Sequence, residues 1–136
     1  MRFTPYLNFN GDCAEAFKFY AQTFNTKIEM MITHGDSPMA GQTPADWQDK
    51  IMHARLSVGD QMLMGSDAPP EHYHKPIGLC VAIGVPEPAE ADRVFAALAE
   101  GGEVQMPIQE TFWAKRFGMV TDKFGIPWFV NCETPR

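Results

Sequence analysis

One short pattern occurs twice in this chain, and the repeat limits the possible fold more than any other feature. Ala14-Glu15-Ala16 is followed by an aromatic at Tyr20 and an alanine at Ala21. Ala89-Glu90-Ala91 is followed by Phe95 and Ala96 in the same relative places. Each copy comes after a strand-like run, Phe3 to Phe9 or Ile77 to Ile83, and each is followed by further strand-like runs. Self-similarity of this kind sets the architecture before any residue-level argument. Two copies are too few for a solenoid. Two strand–helix–strands units can instead close curved sheets over a cavity, and cavities bind small molecules.

Within each copy the elements follow from periodicity. Phe3, Pro5, Leu7 and Phe9 alternate with Thr4, Tyr6, Asn8 and Asn10, the period of a strand with an apolar and a polar face. Asn10-Gly11-Asp12 turns the chain, and Asp12 is placed to cap the next helix. Ala16, Phe19, Tyr20, Thr23 and Phe24 recur at helical spacing. Lys27 to Thr33 reads as a second strand. Ile51 to Val58 alternates Met52, Ala54, Leu56 and Val58 against His53, Arg55 and Ser57, and Gly59-Asp60 signals a hairpin into Gln61 to Gly65. In the second copy, Glu87 to Glu100 is an amphipathic helix stopped by Gly101-Gly102. Strands are expected over Glu103 to Ile108, Thr111 to Thr121 and Trp128 to Cys132. The expected fold class is α+β: two βαβββ modules, about residues 1–68 and 76–136, forming curved mixed sheets with a cavity. Residues 35–49, with two prolines, two glycines and no periodicity, read as a surface loop fit for a lid or a dimer arm.

Composition narrows the partners. The 136 residues are 45% hydrophobic and 21% charged, an ordinary globular balance, with a net charge of −6. Nucleic acid and anionic membrane surfaces reward clustered Lys and Arg, so neither is an expected partner. No apolar run reaches the ~18 residues of a membrane helix. Met1-Arg2-Phe3-Thr4-Pro5 leads straight into a strand pattern without a secretory apolar region. Three scattered cysteines, Cys13, Cys80 and Cys132, form no CxxC pair and suit a reducing cytoplasm, where the chain is expected to reside. Cys80 sits in an apolar run and reads as a small buried residue.

The stretch Thr4-Pro5-Tyr6-Leu7-Asn8-Phe9-Asn10-Gly11, with a helix carrying Phe19-Tyr20, resembles the vicinal oxygen chelate superfamily, also called glyoxalase/bleomycin resistance/dioxygenase. Ile51-Met52-His53-Ala54, Met64-Gly65-Ser66-Asp67, Gln109-Glu110-Thr111-Phe112-Trp113, Phe117-Gly118, Thr121-Asp122-Lys123-Phe124-Gly125 and Trp128 resemble its PhnB-like branch. The resemblance spans essentially the whole chain. It implies paired βαβββ modules, a cavity in each curved sheet and a homodimer. It also implies a divalent metal held by four His, Glu or Gln side chains. By position these places fall on Thr4, Met64, Gly78 and Phe129, whose side chains are poor ligands for Zn²⁺, Mg²⁺ or Mn²⁺. The expectation is therefore the family scaffold without its metal centre and without another cofactor. Members of the branch sometimes carry a demethylubiquinone methyltransferase label. The sequence has no strand–glycine-rich turn–helix of the kind a methyl-donor nucleotide needs.

Five residues stand out as a candidate site, each with two readings. His53 is either a strand histidine bonded to backbone or solvent, or a general base or donor in a pocket, since it shares the polar face with Arg55. Tyr6 and Asn8 either support a sheet edge or supply polar groups to a cavity. Trp113 is either core or interface, or a platform for a planar ligand, with Glu110 beside it as acid or acceptor. Lys115-Arg116 are either solvated or attract an anion. His72 and His74, in Glu71-His72-Tyr73-His74, have no third ligand in fixed reach and read as solvated loop residues, and His34 is expected to be exposed as well. The functional expectation is a small-molecule-binding protein whose pocket is lined by Tyr6, His53, Arg55, Trp113 and Glu110. The alternatives are a lyase, isomerase or dioxygenase using His53 or Glu110 as acid or base, and a structural dimer with a filled cavity.

Overall fold

A computed structural model describes residues 1–133 and divides the chain into two compact units, Met1–His74 and Lys75–Arg136. The first unit contains β1 (Tyr6–Phe9), α1 (Cys13–Thr23), β2 (Ile28–Thr33), β3 (Ile51–Val58) and β4 (Gln61–Asp67). The second contains β5 (Val81–Gly84), α2 (Pro88–Ala99), β6 (Glu103–Gln109), β7 (Ala114–Thr121) and β8 (Pro127–Glu133). Each is a βαβββ module, and the two sheets share one plan. Their strand orders are β1-β4-β3-β2 and β5-β8-β7-β6, with the first pair parallel and the other two antiparallel. The fold is α+β with two four-stranded mixed sheets, as the repeat implies.

In the first unit α1 lies on one face of its sheet. Its buried residues Cys13, Ala16, Phe17 and Tyr20 fall three and four apart, the stripe of an amphipathic helix. They meet Leu7, Phe9, Ala54, Leu56 and Leu63, which alternate along the strands and are almost fully buried. Gly65 permits the close approach: a Cβ there would sit 2.7 Å from Phe17 Cε1. The sequence stripe named Phe19 where the structure buries Phe17. Both flank the apolar face, but position 17 falls one turn before Tyr20 and over the glycine gap, whereas Phe19 remains partly exposed.

Asp12 occupies the N-cap position but makes no capping bond with its side chain. The buried Asp67 at the end of β4 supplies the acceptor instead. Its Oδ1 accepts from Gly11 N at 3.0 Å and Cys13 N at 2.9 Å, and its Oδ2 accepts from Ile51 N at 2.8 Å. One carboxylate thus joins the start of α1, the start of β3 and the end of β4. A negative charge at a helix N-terminus also opposes the helix dipole favourably.

The second unit repeats the plan with other residues. Pro88 starts α2, where its missing N–H costs nothing, and Gly101 at φ 72° ends it in the left-handed region. Ala91, Val94, Phe95 and Leu98 pack against Val120, Trp128 and Val130. Asp122 anchors the last hairpin by accepting from Phe124 N, Ile126 N and Trp128 Nε1 at 2.8–3.0 Å.

Three expectations about strand edges fail. Phe3, Ile77 and Leu79 are 90, 85 and 67% exposed, because β1 starts only at Tyr6 and β5 only at Val81, where pairing with β4 and β8 begins. Alternation without a neighbouring strand leaves side chains in solvent. Residues 35–49 form a largely exposed connector between β2 and β3. They coil through three short 3-10 turns held by Gly35 N to Gln48 O, and by Gln48 Nε2 donating to the carbonyls of Ala40 and Thr43. His34, expected in solvent, is half-buried against Trp47, and its shielded Nε2 has no hydrogen bond among the described residues. His72 and His74 are exposed, as expected of loop histidines.

Candidate functional site

In each unit the helix covers one sheet face, and the residues that alternate away from it line the other, which no helix of that unit covers. In the first unit this open face carries three of the five predicted residues. Tyr6 pairs across the sheet with Met64, and Met64 pairs in turn with Arg55, so the three form one transverse row. His53 lies two residues before Arg55, on the same side of β3. The Tyr6 hydroxyl is 3.3 Å from His53 Nδ1, and the two rings stack at 5.8 Å and 27°. That contact orients the imidazole and ties up one nitrogen, leaving Nε2 as the edge for another partner.

A bulge in the β2–β3 ladder between Ile28 and Met30 turns Glu29 toward this row. Glu29 Oε2 lies 3.2 Å from Arg55 Nε, an ion pair between two part-exposed side chains, although Arg55 Nε itself is shielded and makes no hydrogen bond among the described residues. Buried donors are rarely left so. Asn8 and Ser66 pair beside the row, and Met30, Met62 and Met64 give the face an adaptable apolar floor.

Trp113 and Glu110 belong to the second unit. Trp113 is 45% exposed in the turn before β7 and meets Phe117 edge-on at 5.4 Å, and Phe117 meets Phe129 at 5.5 Å. Trp113 thus stands in an aromatic row, with Phe112 edge-on to it at 4.7 Å. The turn is fixed by Thr111, whose N donates to Ala114 O at 2.9 Å and whose Oγ1 accepts from Ala114 N at 3.1 Å. Glu110 is exposed, and among the described residues no hydrogen bond or ion pair holds it. Lys115 and Arg116 separate: Arg116 Nε bonds to Asp92 Oδ1 on α2 at 3.0 Å, whereas Lys115 sits at a register shift in the β7–β8 ladder between Ala114 and Arg116.

The second unit has a cavity of about 430 Å³, and its lining differs from the residues the sequence singled out. Cys80, Gln105, Met119, Thr121, Pro127 and Phe129 line it, and none of the five predicted residues does. Cys80, expected to be buried, is half-exposed at its edge; what burial it has pushes its thiol pKa up. Cys13 is fully buried, and desolvation together with the charges of Asp67 and Asp12 drives its pKa far above the ordinary thiol value.

The places that the family resemblance assigns to a metal carry, in the first unit, Thr4 and the Met64 thioether. In the second they carry Gly78, with no side chain, and the Phe129 ring beside the cavity. This donor set does not fit a divalent cation. Among the described residues no group of three or more His, Cys, Asp or Glu is placed to hold one. No helix among them is long and apolar enough to cross a membrane.

Two βαβββ modules, each with its helix on one sheet face and side chains free on the other, are the fold of the glyoxylase/bleomycin resistance protein/dioxygenase domain from Frankia sp. EAN1pec, shared with a TM-score of 0.69 at 14% identity over 98% of both chains. The chain belongs to the family described as 3-demethylubiquinone-9 3-methyltransferase, whose model matches residues 1–131. It is 35% identical over 139 residues to Protein YjdN of Escherichia coli (strain K12), covering 96% of this chain and 95% of that protein. The crystal structure of PA1353 from Pseudomonas aeruginosa has 52% identity and a TM-score of 0.90, covering 99% of both chains. A PhnB protein from Bacillus cereus shares the fold with a TM-score of 0.80 at 24% identity, over 97% of this chain and 99% of that one.

Proposed function

We propose that the protein binds a small molecule bearing an anionic group, and that the open face of the first unit recognises it through Arg55, His53 and Tyr6. The observation that carries this reading is Arg55 Nε beside the Tyr6–His53 contact, paired with the Glu29 carboxylate yet making no hydrogen bond among the described residues, so that an anion with better geometry can compete for it. A carboxylate or phosphonate would satisfy the guanidinium in its preferred geometry, and the free imidazole edge would add a second donor or acceptor. The Thr4, Met64, Gly78 and Phe129 set supports a site working without a metal. The methyltransferase description receives no support from the strand-to-helix turns. Asn10-Gly11-Asp12 and Val85-Pro86-Glu87 are not the glycine-rich loops that cradle a nucleotide.

A thermal-shift screen of small carboxylates and phosphonates tests this reading. Arg55→Met should weaken every hit by about tenfold to a hundredfold, the worth of a charge-assisted hydrogen bond. Hits that bind Arg55→Met and His53→Ala as tightly as the parent would place the site elsewhere. The Tyr6–His53 contact also supports an enzymatic reading in which His53 moves a proton. If His53→Ala keeps its affinity but loses a measured turnover, that reading displaces simple binding. The protein is further proposed to work as a homodimer in the cytoplasm. The exposed Phe112, Ile77 and Leu79 of the second unit support pairing, since apolar side chains so open to water gain from a symmetric contact. Sedimentation giving only monomer at micromolar concentration would overturn the dimer.

A further inference from the structure

The cavity of the second unit has a chemistry opposite to that of the first unit's row. The register of its sheet explains why. Met119 pairs with Phe129 and Thr121 with Pro127 across β7 and β8, and all four alternate away from α2, so their side chains form one patch on the open face. The β6–β7 ladder shifts between Val104 and Met106, and the extra residue is Gln105. A bulge re-aims its side chain, here toward Thr121, whose Oγ1 donates to Gln105 Oε1 at 3.2 Å. That bond uses the hydroxyl proton and the amide oxygen. The amide Nε2 has no hydrogen bond among the described residues and keeps its two N–H groups at the cavity edge. No charged side chain lines the space, and about 430 Å³ is the volume of a ligand pocket rather than of a packing defect.

We infer that this cavity of the second unit is a binding site for a compact uncharged apolar molecule carrying one carbonyl-type acceptor. Met119, Pro127 and Phe129 take its apolar body. The Gln105 amide donates to its carbonyl, with Thr121 holding the amide in place. A charged ligand is disfavoured here because nothing in the lining would compensate the loss of its hydration.

Cys80 makes the inference directly testable. Cys13 and Cys132 are fully buried, so Cys80 is the thiol that iodoacetamide should reach in the folded protein, and it borders the cavity. Acetophenone is the probe, and ethylbenzene is its match in shape without the acceptor. Acetophenone should slow alkylation of Cys80 saturably, read by mass spectrometry of the peptide. Ethylbenzene should protect with about tenfold weaker affinity, the worth of one neutral hydrogen bond. Gln105→Leu, an exposed position, should erase that difference, and Met119→Trp, which fills the space, should abolish protection. Arg55→Met should change none of this, which separates a failure here from a failure of the anion site. No protection by acetophenone up to its solubility limit would overturn the inference. So would protection undiminished in Met119→Trp, or an acetophenone-to-ethylbenzene ratio that survives Gln105→Leu.

Discussion

Replacing Asp67 by alanine is expected to destabilise the first unit by about 4 kcal/mol, enough to unfold a marginal domain. The carboxylate is only 3% exposed and accepts three backbone hydrogen bonds, from Gly11, Cys13 and Ile51. Alanine leaves all three donors in a dry interior with no acceptor. Hydrogen bonds to a charged group contribute roughly 1.5–3 kcal/mol each, and they share one acceptor, so the sum is less than additive. Asp67→Asn keeps one oxygen but puts an NH₂ group in place of the other, so it should fall between parent and alanine. Urea unfolding measures the loss, and hydrogen exchange at Gly11, Cys13 and Ile51 localises it. A loss under about 1 kcal/mol would mean that water replaces the carboxylate and that the three-way anchor is unimportant. Function is tied to the same group, since β3 carries His53 and Arg55 and starts at the residue Asp67 holds. A variant that folds should bind anions less well for that reason alone.

How far the sequence reaches is visible in these residues. Period-two alternation placed Tyr6, His53 and Arg55 on a common face because a strand with a buried side fixes the direction of every side chain. The helix stripes were legible for the same reason, with Phe17 the exception. Asp67 was invisible as an anchor because its three donors lie 54, 56 and 16 residues away in sequence, and nothing local marks them as neighbours. A cavity in each sheet was expected from the resemblance, but the residues that line the second unit's cavity were not. Gln105, Met119 and Phe129 come from three strands, and the register shift that turns Gln105 toward Thr121 leaves no trace in composition. Phe3, Ile77 and Leu79 misled because apolar alternation predicts a strand whether or not a partner strand extends that far. The family motifs fixed the fold and supplied the places for a metal, yet the residues at those places point to other chemistry. The scaffold was legible throughout, whereas the site was legible only where one strand held it.

Gly118→Val is expected to cost the second unit about 3 kcal/mol by overpacking, with no polar group disturbed. Gly118 faces α2 from the middle of β7, and a Cβ there would lie 2.6 Å from Phe95 Cε2 and 3.0 Å from the Ile108 Cα. Either the Phe95 ring leaves its rotamer or the β6 backbone moves; both are resisted by a ring only 6% exposed and a paired strand. Shortening the opposing side chain should relieve the clash. Phe95→Leu alone removes buried apolar surface and destabilises, but in the Gly118→Val background it should restore part of the loss, giving a coupling of about 1 kcal/mol or more. Additive effects would mean that the valine is accommodated by β6 rather than by the helix. The cavity reports which element yields, because Phe117 and Met119 flank position 118 on the opposite face. If β7 is displaced, acetophenone protection of Cys80 should fall in the single variant and recover in the double one. If only the Phe95 ring rotates, stability should drop while the cavity keeps its affinity, since the ring lies on the far side of the sheet from the bound molecule.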